Sequence, residues 1–99
     1  MGKRSISILK QASTSVAEIA YFIEGKGMPL AAKKFVDSAF IFFNTISIDT
    51  AENRLCSYKR WIDLGYQCVS FKKKYVVAYQ SLLNEIIICD FVVAKLLKE

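Results

Sequence analysis

The stretch that decides the fold runs from Leu64 to Phe91 and reads LGYQCVSFKKKYVVAYQSLLNEIIICDF. Tyr66 to Phe71 and Tyr75 to Leu82 are rich in the β-branched and aromatic residues that suit a pleated surface, and Lys72-Lys73 between them predicts a tight hairpin connection. A further strand, Glu85 to Val93, follows Leu83-Asn84. Its unbroken Ile86-Ile87-Ile88 run lacks the alternation of a half-exposed strand, so it is expected at the centre of a sheet with neighbours or cover on both sides. Upstream, Leu55 to Ile62 reads as one more strand, joined to the hairpin through Asp63-Leu64-Gly65.

Working toward the N-terminus, Lys3 to Lys10 alternates in part, with Ile6 and Ile8 on one side and Ser5 and Ser7 on the other, as a short first strand would. Ser15 and Glu18 have capping-box spacing, and Val16, Ile19, Ala20 and Ile23 recur at helical intervals. They predict a first helix that stops at Gly25 in the left-handed conformation, with Gly27 keeping the connector flexible. Pro29 is placed as the first residue of a second helix, whose apolar face is Ala32, Phe35, Val36, Ala39, Phe42, Phe43 and Ile46. Lys33, Lys34 and Asp37 fall on the other side. Phe40, Ile41 and Phe43 are too widely spread for one helix face to bury them all, which leaves apolar surface over for a partner.

Two helices with so short a link pack as an antiparallel hairpin and need an apolar surface to lie on. The expected architecture is therefore α+β: an N-terminal strand, then a two-helix antiparallel hairpin packed on one face of a mainly antiparallel sheet of about four to five strands. One domain spans residues 1–99, since the chain has 99 residues and its 54% apolar content supplies a single core. The opposite face of the sheet is left partly open, and function is expected there.

The opening MGKRSISILKQASTS is basic but has no apolar core, which argues against an export signal. The most apolar run, Ile86 to Leu97, carries Asp90 and Lys95 and is about twelve residues long, where a spanning helix needs roughly twenty. Cys56, Cys68 and Cys89 are odd in number and the chain contains no histidine to join them in a metal site. They read as reduced, half-buried thiols of a cytoplasmic protein that calls for neither a metal nor another cofactor.

Charge is the other strong signal. Between residues 54 and 74 stand Arg54, Lys59, Arg60, Lys72, Lys73 and Lys74 against the single acid Asp63, a net +5 that equals the formal excess of the whole chain. Concentrated positive charge attracts polyanions, so a nucleic acid or an acidic protein segment is the first partner to expect.

The order of elements resembles the RelE/ParE superfamily of toxins from bacterial type II toxin–antitoxin modules. VAEIAYFIEGKGMPLAAKKFVDSAF is similar to that family's helical hairpin, with alanine-rich packing before a lysine-phenylalanine pair, here Lys34-Phe35. LGYQCVSFKKKYVVAYQSLLNEIIICDF is similar to its glycine, strand, basic turn, tyrosine-ended strand and isoleucine-rich strand. The resemblance implies growth inhibition, by ribosome-dependent cleavage of messenger RNA or by poisoning DNA gyrase, and neutralisation by a cognate antitoxin with a partly disordered acidic segment. It also meets departures: Val93 stands about where members often carry a histidine, and Gln67 or Cys68 replaces a common arginine.

Metal-free RNA cleavage needs a group that activates the 2′-hydroxyl, a positive charge for the phosphorane and an acid for the leaving oxygen. Arg60 is the candidate for the charge and Tyr79 for proton transfer, with Tyr75 as its alternative or as a base-stacking ring. Arg54, Lys59, Lys72, Lys73 and Lys74, with Tyr75, are candidates for binding nucleic acid or the antitoxin. The plainer alternative makes the lysines a solvated rim that keeps a hairpin end soluble, and the tyrosines sheet packing. Trp61 is read as closing the core rather than stacking on a base. Tyr58, three residues away on an extended strand, would face the other side. A non-catalytic toxin relic or adaptor, whose basic sheet face docks RNA or an acidic protein segment, is the alternative function.

Overall fold

A computed structural model describes residues 4–48 and 55–97. The chain begins with β1 (Ser5–Ile8), passes through helices α1 (Lys10–Gly25) and α2 (Pro29–Ile48) and a short α3 (Lys59–Ile62), and then forms β2 (Gln67–Phe71), β3 (Tyr75–Ser81) and β4 (Glu85–Val93). A 3₁₀ turn, Ala94–Leu96, follows. The strands lie in the order β1-β4-β3-β2, so the isoleucine-rich β4 is internal, flanked by β1 in parallel and β3 antiparallel. Ile6 and Ile8 pair with Ile86 and Ile88, and Ser7 Oγ donates a hydrogen bond to the Glu85 carboxylate.

A β-bulge on β4 shapes the core. Ala78 pairs with Asp90 while Tyr79 pairs with Ile88, which leaves Cys89 as the extra residue. Strict alternation would put Ile88 and Phe91 on opposite faces; the bulge turns both toward the helices. There they join Val77, Tyr79, Phe71 and Ile86 from the sheet, Ala12 and Val16 from α1, and Phe35, Ala39, Phe43 and Ile46 from α2.

The helices form as their apolar spacing predicts, but their ends differ. α1 starts at Lys10, five residues before Ser15, because the Leu9 N–H donates to the Ile88 carbonyl (2.9 Å) and the chain turns into the helix directly from the sheet. Ser15 is thus an interior helical residue and no capping box forms. At the other end Gly27 (φ +82°), not Gly25, takes the left-handed conformation. Pro29 opens α2 as expected, and Phe43 is buried while Phe40 and Ile41 remain exposed.

The C-terminal turn of α2 is held by Arg4. Its Nε and Nη2 donate to the Ser47 and Ile46 carbonyls (both 3.4 Å), and Nη1 donates to Ser81 Oγ (2.7 Å). A guanidinium there satisfies carbonyls that the helix leaves open and faces the negative end of its dipole.

The segment read as a strand from Leu55 to Ile62 is not one. Only Leu55 bridges to Gln67, after which the chain turns into α3, closed by hydrogen bonds from the Trp61 and Ile62 N–H groups to the Tyr58 carbonyl (2.9 and 2.8 Å). Burial of Trp61 outweighs the β-propensity of its neighbours. The indole lies in a second, smaller core on the sheet face away from α1 and α2, with Cys56, Val76, Ala78 and Leu97. Tyr58 packs edge-on against Trp61 (centroids 5.7 Å) on the same side rather than across a sheet. Much of the face expected to be open is therefore closed by α3 and the C-terminal turn.

The cysteine reading also needs correction. Cys56 and Cys68 form a disulfide, with Cα atoms 5.0 Å apart, and only Cys89 is a free thiol, buried in the bulge. Parity and spacing do not reveal the pairing, because it depends on the chain doubling back at Asp63-Leu64-Gly65, where Gly65 adopts φ +70° and the Cys56 N–H reaches the Tyr66 carbonyl (2.8 Å).

Candidate nucleic-acid interface

The basic residues lie in two places: Lys59 and Arg60 on α3 beside the second core, and Lys72 to Lys74 at the hairpin tip, where the Lys72 ammonium stands over Phe71 of the first core (5.6 Å to the centroid). Lys59 and Arg60 are exposed on α3 beside the buried Trp61, and the Arg60 guanidinium stands 5.8 Å from the indole centroid. Lys74 lies two residues before Val76 on β3, and so projects to the same face, toward the cluster that contains Trp61. Arg54 lies outside the described residues.

Lys72, Lys73 and Lys74 make the exposed tip of the β2–β3 hairpin. The Lys74 N–H donates to the Phe71 carbonyl (3.2 Å), and both central residues have positive φ, 54° at Lys72 and 61° at Lys73. This is type I′ geometry, which suits the right-handed twist of the strands and for which Asn-Gly is the favoured pair. Lysine has no short polar side chain to ease that conformation, and each left-handed L-residue costs about 1–2 kcal/mol. The Lys72 ammonium lies over the Phe71 ring (5.6 Å to the centroid) and offsets part of that cost, and the remaining strain points to a use for the lysine side chains beyond the turn.

Lys95 belongs to the same rim and sequence reading missed it. It sits in the 3₁₀ turn after β4, whose first residue, Ala94, donates its N–H to the Lys74 carbonyl (2.8 Å). No local pattern marks it: the signal is the antiparallel pairing of β3 with β4, which brings the chain end beside the lysine turn.

The two tyrosines face elsewhere. Tyr79 is 2% exposed within the core beneath α1 and α2, and Tyr75 is half-buried in the same core, its ring stacked on Phe91 (centroids 5.3 Å, planes 28° apart). Arg60 is on the far side of the sheet. The structure thus does not bring Arg60 and Tyr79 together, and the expected catalytic pair is not assembled.

At one end of β2 and β3, a groove of about 330 Å³ is lined by Leu55, Gly65, Gln67, Gln80, Ser81 and Leu82. None of these side chains is charged, and Gln67 and Gln80 lie at the end of the hairpin away from the lysine tip. Near it the Tyr66 phenol and Cys89 thiol are neighbours. Burial raises the Tyr66 pKa above its ordinary value, helped by its hydrogen bond with Cys89; burial likewise pushes the Cys89 thiol up. Both groups are neutral near pH 7, and Cys89 is no thiolate nucleophile.

Raised values of this kind stabilise the folded chain until the groups ionise. The folded chain holds both protons more tightly than the unfolded chain does, so the associated stability is complete below the ordinary thiol value, 9.0, and is lost as pH rises through the raised one. The urea midpoint is expected to be steady near neutrality and to fall above pH 9, with a shallower fall in Cys89→Ala. An identical alkaline profile in that variant would sink the assignment.

Among the described residues, no group of three or more Cys, Asp or Glu side chains is placed to hold a metal ion, and no helix is long and apolar enough to cross a membrane. No protein-family model matches the sequence, and no curated protein does. Among solved structures, a chain of the chromosomal ParDE TA system from P. aeruginosa is similar, with a TM-score of 0.75 at 13% sequence identity, over 92% of this chain and 96% of that one. At that identity the likeness speaks for the fold, and the fold is the RelE/ParE-like α+β arrangement expected from the sequence.

Proposed function

We propose that this chain is the toxin of a type II toxin–antitoxin module, acting in the cytoplasm, and that its basic rim docks on a polyanionic surface of the target. Support for the toxin class comes from a fold shared with a ParDE chain. The observation that carries the docking surface is the pair Lys72 and Lys73, held at positive φ on an exposed tip beside Lys74 and Lys95. Strained positive-φ residues cluster at functional sites, which supports a binding role for these side chains.

Between the two modes implied by the resemblance, the geometry favours the one without bond-making chemistry, poisoning of DNA gyrase. Messenger RNA cleavage by the expected pair would need Tyr79 near Arg60, and Tyr79 is buried across the sheet. Arg60 then serves as a contact, with Lys59, for the target or for the acidic segment of a cognate antitoxin.

Induced expression in bacteria, with growth, translation and DNA supercoiling followed together, tests this. Growth arrest with supercoiling lost first, reversed by the neighbouring reading frame, is the expected result; translation failing first would instead favour the ribosomal mode. Unaffected growth would overturn the toxin reading in favour of a non-catalytic adaptor. Arg60→Ala is expected to relieve arrest while leaving the unfolding free energy within about 0.5 kcal/mol of the parent, since Arg60 is exposed. Full toxicity in that variant would remove Arg60 from the site.

A further inference from the structure

We infer that the Cys56–Cys68 disulfide is a redox latch that holds α3 against the sheet and so sets the order of the basic rim. α3 has four residues, too few to be stable alone, and no side chain caps its N-terminus. It is fixed from outside. The disulfide ties the segment ahead of it to β2, the Leu55–Gln67 bridge and the Cys56 N–H to Tyr66 carbonyl bond follow from that tie, and Trp61 inserts into the second core. Lys59 and Arg60 ride on this helix, directly before Trp61. Trp61 burial and the disulfide hold them together, and the disulfide is the part that reduction removes.

A dithiol reductant opens it. Its thiolate attacks the Sγ of Cys68, which is half-buried where Cys56 is buried, and the Sγ–Sγ bond breaks with its electron pair passing to Cys56, which takes up a proton. The second thiol of the reductant then displaces Cys68, which is protonated in turn. Two electrons and two protons pass to the protein and the reductant leaves as its disulfide. In the reducing cytoplasm, where the chain is proposed to act, the open state is favoured, so the rim works there at its weaker, reduced level, and oxidation closes the latch and strengthens binding. Cys89 takes no part: it is 1% exposed and its pKa is raised. This inference deepens the proposed docking role of the rim, but the latch itself can be tested without it.

Trp61 is the only tryptophan of the chain and 2% exposed, so its emission reports directly on α3. The oxidised protein, the same protein after reduction and alkylation, and Cys56→Ser/Cys68→Ser are compared in three readouts: Trp61 emission, the rate of tryptic cleavage after Lys59 and Arg60, and affinity for a labelled double-stranded DNA. Reduction is expected to shift emission to the red, to speed cleavage at those bonds at least tenfold, and to weaken DNA binding several-fold, with the double variant matching the reduced form. Should the variant fail to fold, the reduced parent carries the test alone. Unchanged emission and cleavage, with Cys56 and Cys68 both alkylated, would overturn the latch. Changed emission and cleavage with unchanged affinity would overturn its control of the rim. Absence of DNA binding in both states would fell the docking reading, while emission and cleavage still decide the latch.

Discussion

Phe91→Ala is expected to lower the unfolding free energy by about 3–5 kcal/mol, the range for truncating a fully buried phenylalanine. The ring is 1% exposed and meets four others, with centroids 6.0 Å from Phe35, 6.0 Å from Phe43, 5.9 Å from Phe71 and 5.3 Å from Tyr75. These come from α2, β2 and β3, so the cavity would open where helix and sheet meet and no single element could move in to fill it. Small domains are stable by only about 5–15 kcal/mol, and a loss of this size would leave the variant near the threshold of folding. Because Tyr75 stacks on Phe91 and directly follows Lys74, the surviving folded fraction should also hold the lysine turn less firmly. Urea titration of Phe91→Ala beside Phe22→Ala measures this. Phe22 is 62% exposed, and its truncation is expected to change stability by no more than about 0.5 kcal/mol. Equal losses in the two variants would contradict an aromatic core centred on Phe91.

How much of this was legible in advance depends on whether a signal was local. The helical hairpin, the β2–β3 turn and the central place of β4 followed from apolar spacing, Pro29, the short Lys72-Lys73 link and the isoleucine run, all of them features that neighbouring residues determine together. The failures lie where distant residues decide. A strand between Leu55 and Ile62 satisfies β-propensity, yet Trp61 gains more by turning inward to Val76 and Leu97, residues that a local reading cannot place beside it. The disulfide failed for the same reason: Cys56 and Cys68 meet only because that segment folds back along β2. Tyr79 is subtler. Alternation put it on one face of β3, but nothing in the sequence said which face the helices would cover, and so a core residue was assigned to the site.

Replacing the hairpin tip, Lys72→Asn with Lys73→Gly, is expected to raise stability by about 1–3 kcal/mol, because Asn-Gly relieves about 1–2 kcal/mol of strain at each of the two positive-φ positions, offset in part by the extra chain entropy of glycine. The same change should weaken binding to double-stranded DNA. If both lysines meet phosphates, the slope of log affinity against log salt falls by nearly two units, about 0.9 for each phosphate that is no longer neutralised. Stability and binding would then move in opposite directions, which separates two explanations that agree on everything else. Lysines that serve only to keep a hairpin end soluble predict the stability gain with an unchanged salt slope, and that result would remove the tip from the interface. Substituting the exposed pair Lys33 and Lys34 on α2 is the natural control, since it removes the same charge without touching the rim. Nearly equal slopes in the two variants would mean that net charge, not the placement of these lysines, attracts the polyanion. A larger loss at the tip would mean that position matters, and would explain why two residues poorly suited to a type I′ turn occupy it.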